Sequence, residues 1–376
     1  MSIKTRLAII CTHPIQYYVP VFKQLAEVTE LKVFYTAGKK ISFDKGFRLN
    51  IQWDIPLLEG YDFQFLINNA KKHSTSRFFG TINPDATSII RQFDPSHILI
   101  YGWAHYSHFK ILNYFSGKVR ILFRGDSTAL RQQHPLKSLT KKIILKYIYS
   151  RVNHALYTGI NNKYYFKNYG LKNNQLIFAP HAVDNGRFAC TRATLQIREM
   201  LQIKNSEIVI LFAGKFTAVK NPEMLLKAFA GLQLTNTHLL MVGDGPLAAN
   251  LRSIYQHEKI HFLPFQNQSN MPAVYQSCDL FCMPSKSDSW GLAINEAMAA
   301  GKAILASDMV GCCADLVKPA NGMIFQSNNI SDLKQRLVKL THSKAKLTQQ
   351  GQSSKVIIQK WNFETQVKGI LSALSI

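Results

Sequence analysis

The chain has 376 residues, 47% hydrophobic and 11% aromatic, with 45 Lys and Arg against 22 Asp and Glu and a formal net charge of +23. Single hydrophobic cores stop growing near ~250–300 residues, so this length implies two domains, and no internal repeat or low-complexity tract interrupts it. No run approaches the ~18 apolar residues of a membrane span, and the leading stretch Leu7–Cys11 is too short for a secretory signal, so a soluble or peripherally bound protein is expected.

Leu7–Cys11 reads as a buried strand, followed by a helix from about Pro20 to Glu27. Leu31–Tyr35, Ser96–Tyr101, Lys118–Phe123 and Ala155–Tyr157 read as further short strands between helical segments, and Pro135–Ile148 as a basic amphipathic helix. After Asp184 the alternation restarts, with strands at Glu207–Ala213, His238–Val242, His261–Leu263, Leu280–Met283 and Ala303–Ala306 and a helix at Pro222–Leu232. Alternation of this kind argues for parallel sheets with helices on both faces, and its restart for two such α/β domains with a cleft between them. Ligands of such sheets sit beyond the carboxyl ends of the strands, so the loops after the strands are where chemistry is expected.

The charge is uneven. Between Asp126 and Asp184 there are nine Lys or Arg and no acid. Nucleic acid, an anionic membrane or a polyanionic substrate would each suit such a surface, and charge alone does not choose among them. No nucleic-acid-binding module is visible, so nucleic acid is not expected as a partner. The six cysteines, Cys11, Cys190, Cys278, Cys282, Cys312 and Cys313, lack partners at zinc-site spacing and read as free thiols of a reducing compartment.

The most informative segment runs from Met283 to Gly301. A strand ends at Met283, a polar loop carries Asp288, a helix opens near Gly291-Leu292, and Glu296 lies within its first two turns. A helix start after a glycine presents unpaired backbone amides, a seat for a diphosphate, and a carboxylate one to two turns inside is placed to reach a ribose diol. Asp288, eight residues upstream on the loop, is placed to reach a transferred sugar. In Phe212-Ala-Gly-Lys-Phe-Thr-Ala-Val-Lys-Asn-Pro222, Gly214 lets the chain turn after a strand, and Lys215 and Lys220 follow where cations would neutralise a leaving diphosphate. Val242-Gly-Asp-Gly-Pro-Leu247 is a further glycine-rich turn after a strand, containing Gly243.

The 283–301 segment resembles the E-x7-E motif of family-4 retaining glycosyltransferases (glycosyl transferases group 1), which have the GT-B fold. Asp288 stands at the first acidic position, with Asp in place of Glu, and Glu296 at the second. The family's Gly-Arg followed by Lys is matched by Gly214-Lys215 and Lys220. Phe262-Leu-Pro-Phe265 follows where the family places its base-contacting backbone, and Asn321-Gly322 is another family-like turn. His13-Pro-Ile-Gln-Tyr17 is similar to the opening of one subgroup, and Pro180-His-Ala-Val-Asp-Asn-Gly-Arg-Phe188 looks like the family's hinge.

The resemblance implies GT-B architecture: two Rossmann-like doubly wound parallel-sheet domains facing a central cleft. It places an acceptor-binding domain at 1–187, a nucleotide-sugar-binding domain at 188–358, and a helix at 359–376 that crosses back to the first domain. It also implies a UDP- or GDP-sugar donor, held through Gly214, Lys215, Lys220, Gly243, Phe265, Trp290, Gly291, Leu292 and Glu296. The implied catalytic set is Asp288, Glu296, Lys220 and Lys215, with Asp126 of Arg124-Gly-Asp-Ser127 on the acceptor side and His105 as a further candidate. No Asp-x-Asp motif is present, so no metal or cofactor beyond the donor is expected. The implied acceptor is lipid-linked or a saccharide, in bacterial surface-polysaccharide assembly. Lys137, Lys141, Lys142 and Lys146 would dock a cytoplasmic protein on the inner face of the membrane. A nucleic-acid binder is the different-class rival, and the second alternative is an inactive relative kept as a binding protein.

Overall fold

The computed structural model describes residues 5–39, 43–44, 46–47, 49–130, 135–190 and 196–375, without the side chains of 43 and 135–137. Two compact units form: Met1–Ser42, Pro56–His181 and Phe363–Ile376 make one, and Phe43–Ile55 with Ala182–Asn362 make the other.

In the first unit β1 (Arg6–Cys11) and β2 (Glu30–Tyr35) flank helix α1 (Val19–Val28). A short antiparallel hairpin of β3 (Phe43–Asp44) and β4 (Leu49–Asn50) comes next along the chain but belongs to the second unit. The first sheet continues with β5 (Asp62–Phe65), β6 (His97–Tyr101), β7 (Arg120–Arg124), β8 (His154–Tyr157) and β9 (Leu176–Phe178). All seven strands pair in parallel in the order β5-β2-β1-β6-β7-β8-β9. Helices α2 (Ala86–Phe93), α3 (Tyr106–Phe115), α4 (Pro135–Tyr149) and α5 (Ile160–Asn168) link them.

The period of two along β1 explains why both faces are covered. Leu7, Ile9 and Cys11 join a cluster with Phe22 and Leu25 of α1, whereas Ala8 and Ile10 join another with Ile111, Leu112, Leu145 and Ile148 of α3 and α4. Each fully buried Leu, Ile or Phe contributes about 1.5–3 kcal/mol, so a sheet buried on both faces is the main source of the unit's stability.

The second unit carries α6 (Asn185–Ala189), α7 (Ile197–Met200), β10 (Ile208–Ala213), α8 (Pro222–Ala230), β11 (Thr237–Val242), α9 (Ala248–Ile254) and β12 (Ile260–Leu263). It continues with α10 (Met271–Gln276), β13 (Leu280–Met283), α11 (Leu292–Ala299), β14 (Ala303–Ser307), α12 (Cys313–Leu316), β15 (Gly322–Phe325), α13 (Ile330–Thr341) and α14 (Lys344–Ile358). Its sheet is again wholly parallel, in the order β12-β11-β10-β13-β14-β15. Strand order reverses direction between β10 and β13, the position where open α/β sheets take their ligands. The last helix, α15 (Phe363–Leu374), returns to the first unit and lies on α1 and β9. Gly369 permits that contact, because a Cβ there would sit 2.1 Å from the Phe178 carbonyl oxygen.

Arg124, at the end of β7, is only 2% exposed. Its guanidinium donates to the carbonyls of Ala179 (2.7 Å) and Pro180 (3.0 Å), tying the end of β7 to the strand exit after β9. Hydrogen bonds from a charged donor are worth about 1.5–3 kcal/mol each. Arg124→Met should therefore lower unfolding free energy by roughly 3 kcal/mol or more, read by urea titration. A loss below about 1 kcal/mol would show that these bonds do not hold the unit together.

Candidate functional site

In the second unit the chain leaves β10, β11, β12 and β13 at the same edge of the sheet. Gly214 and Lys215 follow β10, Gly243 follows β11, Phe265 follows β12, and Asp288, Trp290 and Gly291 follow β13 before Leu292 opens α11. The sequence-derived donor residues thus gather along the carboxyl edge, on either side of the β10/β13 switch point. Crowding and positive φ account for two of the glycines. Gly243 (φ +140°) leaves no room for a Cβ, which would sit 2.0 Å from the Gly214 oxygen. Gly291 (φ +96°) is the N-cap of α11, and a Cβ there would meet Val310 Cγ1 at 2.6 Å.

Asp288 is held firmly. Its Oδ2 pairs with Lys220 Nζ, its Oδ1 accepts the Trp290 amide at 3.2 Å, and its own amide donates to Met309 at 3.0 Å. The loop carrying Lys220 is in this way fastened to the loop that opens α11. Lys215 Nζ is engaged by Asp44 Oδ2 at 2.9 Å. Leu292 and Ala293 lie in the first turn of α11, where amides have no intrahelical acceptor. Glu296 is buried one turn further in, and its Oε2 accepts the Tyr275 hydroxyl at 2.7 Å. Trp290 sits differently from the expectation that it lines the nucleotide site: its ring is buried, and the indole N–H donates to Asn295 Oδ1 at 2.9 Å.

In the first unit a cavity of about 180 Å³ opens at the carboxyl ends of β1, β6 and β7. Thr12, Ile15 and Tyr18 line it from the β1 exit, Tyr101 and His105 from the β6 exit, and Arg124 and Asp126 from the β7 exit, with His181 beside them. Both acceptor-side candidates, Asp126 and His105, are therefore in one pocket. Asp126 Oδ2 lies 3.9 Å from His181 Nε2. Burial, with the Arg124 charge, holds the His181 imidazole well below its usual range, so that contact is polar and not ionic at neutral pH. Burial also lowers His105 and brings His108 to about 4, and His108 is packed by hydrogen bonds to Gly102 (2.9 Å) and Thr36 (3.0 Å). Tyr101 Oη and Arg124 Nε are buried with no hydrogen-bond partner among the described residues, which leaves two polar atoms beside the pocket for a bound molecule.

Sequence reasoning missed Tyr101, Arg124 and His181 here, and Asp44 and Tyr275 in the second unit. Only Arg124 and His181 stood in segments it singled out. One expectation for the basic helix is corrected. Lys141 does not join an outward basic face, because its ammonium lies over the rings of Tyr165 (5.0 Å) and Tyr169 (5.7 Å). Lys142 and Lys146 are exposed, and the Lys137 side chain falls outside the described residues.

Residues 194–356 match the family described as Glycosyl transferases group 1. A D-inositol 3-phosphate glycosyltransferase of Gordonia bronchialis is 26% identical over 194 residues, 47% of this chain and 42% of that protein. The chain spans about half the length of the curated relatives it matches. A sucrose-phosphate synthase from Thermosynechococcus elongatus aligns over 98% of both chains with TM-score 0.75 and 15% identity. HepE of Anabaena, in complex with UDP and glucose, aligns over 99% of both with TM-score 0.75 and 14% identity. The shared architecture is GT-B, with two Rossmann-like parallel-sheet domains.

The second unit has no space for a side chain at the glycine that opens α11. Gly291→Ala should strain that turn by about 1–3 kcal/mol and abolish nucleotide-induced thermal stabilisation while the circular dichroism spectrum stays native. Stabilisation equal to that of the parent protein would show that the amides of this turn do not meet the ligand.

Proposed function

We propose that the chain is a retaining glycosyltransferase that takes a sugar from a UDP- or GDP-sugar bound by its second unit. The observation that carries this reading is the loop bearing Lys215 and Lys220, fastened through Lys220 and Asp288 to the amide-rich start of α11 at the switch point. In it the diphosphate lies on the first amides of α11 and against Lys215 and Lys220, and Glu296 holds the ribose. As the glycosidic bond breaks, negative charge grows on the leaving diphosphate, and two ammonium groups with oriented amides stabilise it without a metal ion. Lysine lacks the planar fork of arginine, so Lys215 acts as a point charge. Asp288 keeps Lys220 on station and turns toward the transferred sugar once phosphate takes over that lysine. The names of the curated relatives support glycosyl transfer, and the UDP and glucose in HepE support a nucleotide-sugar donor.

The first unit's pocket is the acceptor side in this reading. Asp126 receives the acceptor hydroxyl, which attacks on the face the diphosphate leaves, so configuration is retained. Nothing favours an inactive binding protein, since Glu296 and Lys220 are both in place. Without Glu296 or Lys220 the transition state loses a contact that matters at each turnover. Glu296→Ala and Lys220→Ala should each reduce transfer about a hundredfold or more, measured as release of UDP or GDP from the sugar nucleotides. Turnover like that of the parent in both variants would defeat the assignment.

A lipid-linked or saccharide acceptor in surface-polysaccharide assembly, met at the inner face of the cytoplasmic membrane, completes the proposal. No helix among the described residues is long and apolar enough to cross a membrane. Instead α4 exposes Leu139, Ile143, Ile144 and Tyr147 beside Lys142 and Lys146. Ring contacts continue that face from Tyr147 through Phe109 and Phe78 to the exposed Phe79. Apolar residues rimmed by lysines suit an anionic leaflet, where each lysine adds about 1 kcal/mol. The parent protein should sediment with vesicles containing anionic lipid and not with neutral ones, and joint Ile143→Ser, Lys142→Gln and Lys146→Gln changes should release it. Equal sedimentation of that variant would argue against docking through α4.

A further inference from the structure

The hairpin of β3 and β4 was not anticipated, and it bears on how the donor site is kept when no nucleotide is present. Residues 1–185 contain only ten Asp and Glu, yet Asp44 and Asp54 both fall within residues 43–55. Both grip loops at the carboxyl edge of the second unit's sheet. Asp44 Oδ1 accepts the amides of Gly46 (2.7 Å) and Phe47 (3.0 Å), shaping the turn, and its Oδ2 accepts Lys215 Nζ at 2.9 Å. Partial burial pushes the Asp44 carboxyl up, but Lys215 and the two amides together outweigh it and hold the group below its usual range, so it is charged at neutral pH. The Phe47 ring lies 5.0 Å from the Lys215 ammonium and 4.9 Å from the ring of Phe265. Further along, Asn267 donates to the Gln52 carbonyl at 2.8 Å, and Asp54 accepts the Ser269 amide at 3.2 Å. Gly245 meets the hairpin backbone so closely that a Cβ would lie 2.7 Å from the Gly46 oxygen.

We propose that Asp44 is an internal stand-in for the diphosphate of a nucleoside diphosphate: it occupies Lys215 in the nucleotide-free protein and gives it up when the ligand arrives. The proposal rests on the donor reading above and adds a determinant of which ligands the site accepts. A carboxylate and a diphosphate at one ammonium repel each other, so a ligand reaching Lys215 has to displace Asp44 or tolerate its charge. A nucleoside without phosphate never meets that barrier. Asp44 therefore weakens phosphate binding selectively, keeps the lysine neutralised between turnovers, and couples ligand entry to release of the hairpin turn. Substituting Asn keeps the Oδ1 acceptor that shapes the turn and removes only the charge.

Calorimetry on the full chain with UDP, GDP, uridine and guanosine tests this. Asp44→Asn should bind the preferred nucleoside diphosphate about tenfold tighter than the parent, with the nucleoside affinity unchanged. Amide exchange in residues 43–55 should also rise when the parent protein binds the diphosphate, because the turn loses its hold on Lys215. Diphosphate affinity in Asp44→Asn that is equal or weaker, or amide exchange that does not rise, overturns the stand-in while leaving the donor reading intact. A parent protein that binds neither UDP nor GDP removes the donor reading, and this inference falls with it.

Discussion

Lys215 and Lys220 stand five residues apart on the loop that leaves β10, and two partly desolvated ammonium groups so placed need anions beside them. The fold supplies an acid for each: Asp288 from the β13 exit for Lys220, and Asp44 from the β3–β4 hairpin for Lys215. Much of the second unit's local structure follows from that neutralisation. The Asp288 contact joins the β10 and β13 loops across the switch point and sets the turn at Gly291. The Asp44 contact seats an excursion of the first half of the chain on the second unit. Each ammonium of this loop is thereby neutralised by an acid from another loop.

The first unit solves a different problem with one buried cation. Arg124 donates through its two Nη atoms to backbone carbonyls at the chain exit after β9, so those bonds serve cohesion at the rim of a pocket. Around it the titratable groups are mostly uncharged at neutral pH. His181, His105 and His108 are lowered by burial, and Tyr18 and Tyr101 are raised by it. Asp126, about half exposed, is the acid lining that pocket.

The parallel sheets were legible in the sequence because their central strands are continuous apolar runs buried on both faces, as in Ile208–Phe212 and Leu280–Met283. β5, β9 and β15 were not read. They are three or four residues long, lie at the sheet edges and carry partly exposed residues, so they lack that signature. The loops at the carboxyl edge of the second sheet were legible for another reason: glycines at 214, 243 and 291 all have positive φ, and at 243 and 291 a side chain would also be blocked. What escaped was tertiary. No local pattern says that Asp44 meets a lysine 171 residues away, that Trp290 turns inward to Asn295, or that Lys141 folds onto two tyrosines. These depend on which loops the sheet order makes neighbours.

The most direct measurement of the central claim is a crystal structure of the protein soaked with UDP or GDP. Diphosphate oxygens should lie within hydrogen-bonding distance of Lys215 Nζ, Lys220 Nζ and the first amides of α11, with Glu296 on the ribose. A nucleotide bound elsewhere, with both lysines still paired to Asp44 and Asp288, would contradict it.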